Sequence, residues 1–409
     1  MRVTIDRLGH LGDGIAAGPV YVPRALPGEV VEGEVSDGRM DAPAIVTPSP
    51  DRRRAPCPHY AACGGCALMH ATDSFVEGWK ADVVRAALAA QGLAAPIRAI
   101  HTSPERSRRR ATFSGRRTKK GAIVGFHGRA SGTLADLSDC HLVLPSITAL
   151  LPALRELTIA GGSRKGEMAL TVTATEAGAD VAVTGGKPLE PALFTDLAAI
   201  AERADLARLT WEGEPVAARR PATQRFGGTL VEPPSGSFLQ ATREGEAALL
   251  AAARAALGGA SRIADLFSGA GTFSLPLAAA AEVHAVESER AMLAALDRAA
   301  RHARGLRRIS TEARDLFRRP LLPDEIDRYD AILLDPPRAG AEAQVSEIAA
   351  SRTRTVAYVS CNPVSFARDA RILSDAGFTL DWIEVVDQFR WSTHVELAAR
   401  LTRTGLTKA

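Results

Sequence analysis

No stretch of this 409-residue chain is apolar for long enough to span a bilayer. Its first ten residues, MRVTIDRLGH, hold none of the hydrophobic core that a secretory signal needs. Both absences lead us to expect a cytoplasmic protein with no membrane partner. Net charge is nearly absent as well, at +3, so the overall balance names no partner. Internal repeats and low-complexity tracts are missing, which excludes a solenoid or a long disordered tail. Cysteine is scarce, with five residues: Cys57, Cys63, Cys66, Cys140 and Cys361. Disulfides are not expected in a reducing compartment, so these thiols need another use.

What is present divides into three parts. Residues 1 to 50 alternate short β-prone runs with Gly and Pro turns, as in GPVYVPRALPGEVVEGEV, which predicts a small β-barrel of a kind that often holds nucleic acid. Residues 51 to 240 begin with a Pro- and Arg-rich linker, TPSPDRRRAPCP. They continue with a helical segment, WKADVVRAALAAQG, and strand-like GAIVGFHG, EMALTVTAT and ADVAVTGG, an α+β pattern. From 241 to 409 short apolar strands (RIADLF, EVHAVE, RISTEARD, YDAILLDPP, TVAYVSC) alternate with alanine-rich helices. That rhythm predicts an α/β, Rossmann-like doubly wound sheet. Its end, FTLDWIEVVDQF followed by HVELAARLTR, has two strands with no helix between them, so the last pairing should be antiparallel. Between Arg106 and Lys120 lie eight basic residues and no acidic one, a run that suits phosphate contacts or a solvated face.

DLFSGAGTFSLPLA places Gly269 and Gly271 directly after the first strand of that sheet, where glycine lets the backbone approach a ligand. Glu287 ends the second strand, Asp315 follows the third and Asp335 ends the fourth, so all lie at the carboxyl edge. An acid at the second strand end suits ribose hydroxyls. A dinucleotide fingerprint would need a third glycine where Ser274 stands, which favours S-adenosylmethionine, as does the antiparallel C-terminal pair.

Cys361 in YVSCNPVS ends the fifth strand on the same rim. A free thiol is only a few per cent ionised at neutral pH, so as a nucleophile it would need activation. Methyl transfer to C5 of a pyrimidine is a reaction that needs such a thiolate. Addition to C6 makes C5 nucleophilic, and a base must later remove the C5 proton. Glu396 in HVELAARL is the candidate base.

Taken together, DLFSGAGTFSL, LLDPPRAG, YVSCNPVSFARD and STHVE resemble the RNA 5-methyluridine methyltransferases. GDGIA and VPRALPGE resemble their TRAM barrel, and CPHYAACGGC resembles the iron–sulfur segment of the 23S rRNA members. The resemblance implies a class I S-adenosylmethionine-dependent methyltransferase domain, with Cys361 as nucleophile and Glu396 as base. It implies Gln240, Phe267, Gly269, Gly271, Thr272, Glu287, Asp315 and Asp335 around the cofactor. Two positions depart from the family pattern: Thr272, where asparagine is frequent, and Phe389-Arg390, where Phe-Pro is usual.

Cys57, Cys63 and Cys66 follow a C-x5-C-x2-C spacing, with Cys140 further on. Four thiolates can hold a 4Fe–4S cluster or zinc. The resemblance favours the cluster; His59, His70 and His141 lie nearby as rival ligands, but a local surface or hydrogen-bonding role is expected of each. The expectation is thus an RNA uridine-C5 methyltransferase, a monomer acting on 23S rRNA in preference to tRNA. The alternatives are a tRNA enzyme or a non-catalytic iron–sulfur RNA-binding protein.

Overall fold

A computed structural model describes residues 1–404. The N-terminal unit is a five-stranded antiparallel sheet in the order Val20–Val22, Gly14–Ala16, Arg2–Leu8, Val30–Glu32, Ala44–Thr47. Alternating side chains of these strands close over a core of Ile5, Val20, Val22, Val31 and Met40. Glu29, fully buried, receives the Leu26 and Ser49 backbone amides and the Arg52 guanidinium, which ties the linker to the sheet.

The central sheet has seven strands in the order Glu214–Ala218, Arg208–Trp211, Gly178–Thr184, Met168–Thr175, Arg110–Arg117, Ala122–His127, Leu134–Asp136. Helices Leu151–Gly161 and Pro191–Arg203 pack their apolar stripes into its core. Several arginines of the basic run of 106 to 120 are taken up by contacts within the protein, whereas Lys119 and Lys120 are exposed. Arg109, 2% exposed, pairs with Glu246 and donates to the Gln240 carbonyl, Arg106 pairs with Asp139, and Arg116 pairs with Glu167.

The third sheet has eight strands in the order Ile309–Ala313, Glu282–Glu287, Arg262–Leu266, Ala331–Leu334, Thr355–Ser360, Glu396–Thr402, Thr379–Asp387, Ile97–Thr102. The first five run parallel, and Glu396–Thr402 is antiparallel to both of its neighbours. The outermost strand comes from early in the chain. Ile97–Thr102 pairs in parallel with Thr379–Asp387, and the preceding helix Asp73–Ala89 packs beside helix Pro363–Asp375. Residues 73 to 102 therefore join the C-terminal sheet, although they precede the central one. Helices cover both faces, as buried parallel strands require. Strand order reverses between Arg262–Leu266 and Ala331–Leu334, and ligands of open α/β sheets bind beside such a reversal. No helix among the described residues is long and apolar enough to cross a membrane.

Candidate active site

A cavity of about 610 Å³ opens at that reversal, on the carboxyl edge. Phe267, Gly269, Thr272, Glu287, Asp315, Asp335, Cys361 and Glu396 all line it. The two glycines of the first loop have different duties. Gly269 (φ +57) lines the cavity, where an added Cβ would meet only Met292 Cε, at 3.6 Å. At Gly271 (φ +91) an added Cβ would lie 2.5 Å from Leu296, so its absent side chain serves helix packing. The backbone is strained at Phe267 (φ 66), and its ring tilts against Phe317 with centroids 5.5 Å apart. Glu287 receives the Gly269 amide at 3.1 Å and the Ser288 and Glu289 amides at 2.7 and 3.0 Å, which fixes its carboxylate at the strand end.

The oddity of a cysteine before Asn-Pro resolves locally. Asn362 caps helix Pro363–Asp375, its side chain accepting from the Val364 amide at 3.1 Å, and Pro363 occupies the first helical turn. The Asn362 amide group also donates to the Arg338 carbonyl at 2.9 Å, and the Ser365 hydroxyl reaches the same carbonyl at 3.1 Å. Asp369 accepts from the Ala341 amide at 2.7 Å and the Tyr358 hydroxyl at 2.6 Å. CNPVSFARD thus clamps the DPPRAG loop beside Cys361.

Burial pushes the Glu396 carboxyl up to about 7, against the hydrogen bond it receives from Gln388. Burial, then the Glu396 and Asp265 carboxyls, hold Asp335 well above the usual carboxylate range. Burial, then Glu396 and Asp335, push the Cys361 thiol up to about 11, with Arg338 opposing. The cavity therefore holds two carboxyls poised to keep or take protons and a neutral thiol waiting for activation.

Gln240 stands behind the cavity wall, where its amide reaches Asp335 at 3.4 Å. Several residues at the site escaped the sequence reading. Phe226, Phe238 and Phe317 add aromatic lining, and Arg338 and His394 sit at the rim. Gln388 bonds Glu396, and Lys80 pairs with Asp387 at 2.6 Å next to it. Arg338 lay inside a quoted motif. A lysine at a core-facing position of a predicted helix was the only hint of Lys80. Arg390, one of the departures from the family pattern, holds its loop by donating to the Ser103 carbonyl at 3.0 Å and Asp73 at 2.7 Å.

The four remaining cysteines call for a correction. Cys57, Cys63, Cys66 and Cys140 line one small cavity of about 20 Å³, and burial raises the Cys63, Cys66 and Cys140 thiols above their ordinary values. Among the described residues no group of three or more His, Cys, Asp or Glu side chains is placed to hold a metal ion. The expected 4Fe–4S cluster, and metal binding at these four cysteines, are not supported. The histidines have the local roles expected of them: His59 bonds Ser138 at 3.0 Å, His70 bonds Tyr60 at 2.6 Å, and His141 faces Glu105 and Asp139. The segment instead braces the active site, because the Ala67 and Leu68 amides donate to the Trp391 carbonyl at 2.7 and 2.9 Å.

Fold and cavity together define a class I S-adenosylmethionine-dependent methyltransferase. The tRNA (Uracil-5-)-methyltransferase family matches residues 229–404. An uncharacterized RNA methyltransferase of Brucella suis is 42% identical, covering 98% of each chain. The 23S rRNA (uracil(1939)-C(5))-methyltransferase of Chromohalobacter salexigens is 32% identical over 98% of this chain and 89% of its own. The tRNA (uracil-54, C5)-methyltransferase of Pyrococcus abyssi, solved with S-adenosyl-L-homocysteine, shares the fold. Its TM-score is 0.77 at 21% identity, over 98% of this chain and 99% of that one. The chain belongs to the RNA (uracil-C5)-methyltransferase family. The expected precedence of 23S rRNA over tRNA as substrate is not upheld by these comparisons. The family model matching residues 229–404 is described by tRNA, whereas the Chromohalobacter salexigens relative is named for 23S rRNA.

Proposed function

We propose that this chain methylates C5 of a uridine in tRNA. The observation that carries the reading is that Cys361 and Glu396 line one cavity with the strand-end acids, at the sheet's reversal. Phe267, Gly269, Thr272, Glu287, Asp315 and Asp335 would hold S-adenosylmethionine, with Gln240 and Gly271 supporting them from behind. When bound, the donor supplies an electrophilic methyl group. Residues 1–50 and the central sheet would grip the RNA, residues 241–409 with strand Ile97–Thr102 would carry the chemistry, and a cytoplasmic setting fits that substrate.

Cys361, as thiolate, adds to C6 of a uridine drawn out of the RNA stack. Arg338 is the nearby cation that favours the thiolate, and protonation of Glu396 removes a like charge from its side. Addition makes C5 nucleophilic toward the methyl group. Glu396, a carboxyl near 7 and hence divided between its two forms at neutral pH, takes the C5 proton, and Cys361 is expelled as the C5=C6 bond returns.

The test is tritium release from tRNA transcripts carrying C5-tritiated uridine, for wild type and Cys361→Ala. Release by the wild type and none by the variant is expected. Release from ribosomal RNA alone would refute the choice of tRNA and leave the chemistry standing. Silence on every uridine-labelled RNA would refute the chemistry.

A further inference from the structure

One side chain at the cavity has no part in the steps above. Gln388 is 1% exposed, and its amide uses all of its hydrogen-bonding capacity. Its Oε1 accepts from the Ala241 amide at 2.7 Å and the Thr242 amide at 3.4 Å. Its Nε2 donates to Gln240 Oε1 at 2.6 Å and to Glu396 Oε2. A backbone N–H can only donate, so Ala241 fixes which end of the amide faces which way, a choice that side chains alone would leave open. Both Nε2 hydrogens must then point at Gln240 and Glu396. No hydrogen bond among the described residues reaches Glu396 Oε1, and Glu396 lines the cavity.

A second observation comes from helix Arg243–Leu257. Gly245 stands in its first turn, where glycine is a poor helix former. An added Cβ would lie 2.6 Å from Gln388 Cβ, 2.8 Å from Thr242 Oγ1 and 3.0 Å from Gln388 Oε1. Its missing side chain is what lets the Gln388 amide reach the two backbone amides at the head of this helix.

We propose that Gln388 is a positioning residue for proton removal. Hung from the Ala241 amide, it holds Glu396 by Oε2 and leaves Oε1 as the oxygen that takes the C5 proton. This rests on the uridine-C5 reading above. In the step, the C5–H bond breaks and its proton goes to Oε1. Its electron pair forms the C5=C6 bond, and the pair of the C6–S bond returns to the Cys361 sulfur. The Gln388 bond favours the ionised form of Glu396 against its burial. The other titratable or charged groups at the cavity are Asp335, Cys361, His394 and Arg338 on the Glu396 side and Glu287, Glu289, Arg314 and Asp315 on the cofactor side, and the Lys80–Asp387 pair lies beside Gln388.

The experiment compares wild type, Gln388→Glu and Gly245→Ala on C5-tritiated tRNA. It reads first-turnover methyl incorporation, tritium release across pH, and denaturant-resistant protein–RNA adduct. Gln388→Glu keeps an acceptor for Ala241 and loses the donor, and Gly245→Ala pushes on the amide without entering the cavity. Both should still methylate in the first turnover while the adduct accumulates. Tritium release should slow roughly tenfold at pH 7, its rising limb moved up by about one pH unit, the scale of one hydrogen bond to a charged group. Parallel loss of methylation and release without adduct, or an unmoved limb in both variants, would overturn the proposal. A wild type that yields neither adduct nor release would sink the uridine reading itself, and this proposal with it.

Discussion

Lys80→Met would remove a buried cation and strand a buried anion. Lys80 is fully buried and Asp387 is 1% exposed, with Nζ 2.6 Å from the carboxylate and 3.3 Å from the Phe389 carbonyl. Burial pushes the two groups toward neutrality, Lys80 down and Asp387 up, so the intact pair is worth little net. Breaking it is another matter, since loss of one partner of a buried pair costs about 3–5 kcal/mol. Protonation of Asp387 in the variant relieves part of this, so we expect about 3 kcal/mol, a large share of a total that is ordinarily about 5–15 kcal/mol. The sign with pH follows. The stranded carboxyl has a folded pKa raised above its unfolded value, so the variant is least destabilised at low pH and loses stability as pH rises through that pKa. Urea unfolding at pH 5 and pH 8 reads both effects. Lys80→Met with Asp387→Asn should cost less than the sum of the two single changes. A Lys80→Met midpoint within error of wild type, or strict additivity in the cycle, would refute the reasoning.

Two more outcomes can be checked directly. With its thiol pushed up to about 11, Cys361 should alkylate roughly a hundredfold more slowly at pH 8 than an ordinary free cysteine. Glu396→Gln, which removes a like charge, should speed it, and peptide-resolved mass spectrometry reads the difference. Asp265, buried and pushed up to about 7 by burial, with Ser274 opposing and Glu287 adding, binds its proton more tightly folded than unfolded. It therefore supports the fold below about pH 4 and loses that support as pH climbs to about 7. Asp265→Asn should flatten the urea midpoint over that interval, and an unchanged pH dependence would count against a buried carboxyl there.

The parallel sheet was legible because strand-length apolar runs alternate with helix-length alanine-rich ones, and because acids recur at the ends of the second, third and fourth strands. The antiparallel finish was legible from a missing helix. The edge strand Ile97–Thr102 was not, because its exposed and half-buried residues IRAIHT resemble a surface strand of any sheet. Cys361 and Glu396 announced themselves by motif, whereas Gln388 and Lys80 act through partners 148 and 307 residues away in the chain. No local pattern encodes such pairings. The cysteine spacing was legible but misleading. Three thiols close in sequence and Cys140 from far along the chain share one small cavity, yet no metal-holding group is placed there among the described residues.

Strand Ile97–Thr102 and Lys80 have a temporal consequence. Both are made well before their partners, strand Thr379–Asp387 and Asp387 itself, which lies 307 residues beyond Lys80. During synthesis the early segment must wait with an unpaired edge and an uncompensated ammonium. The catalytic loop cannot assemble on a nascent chain that lacks strands Thr379–Asp387 and Glu396–Thr402. Activity waits on those two strands, and a chain cut before Thr379 should be inactive.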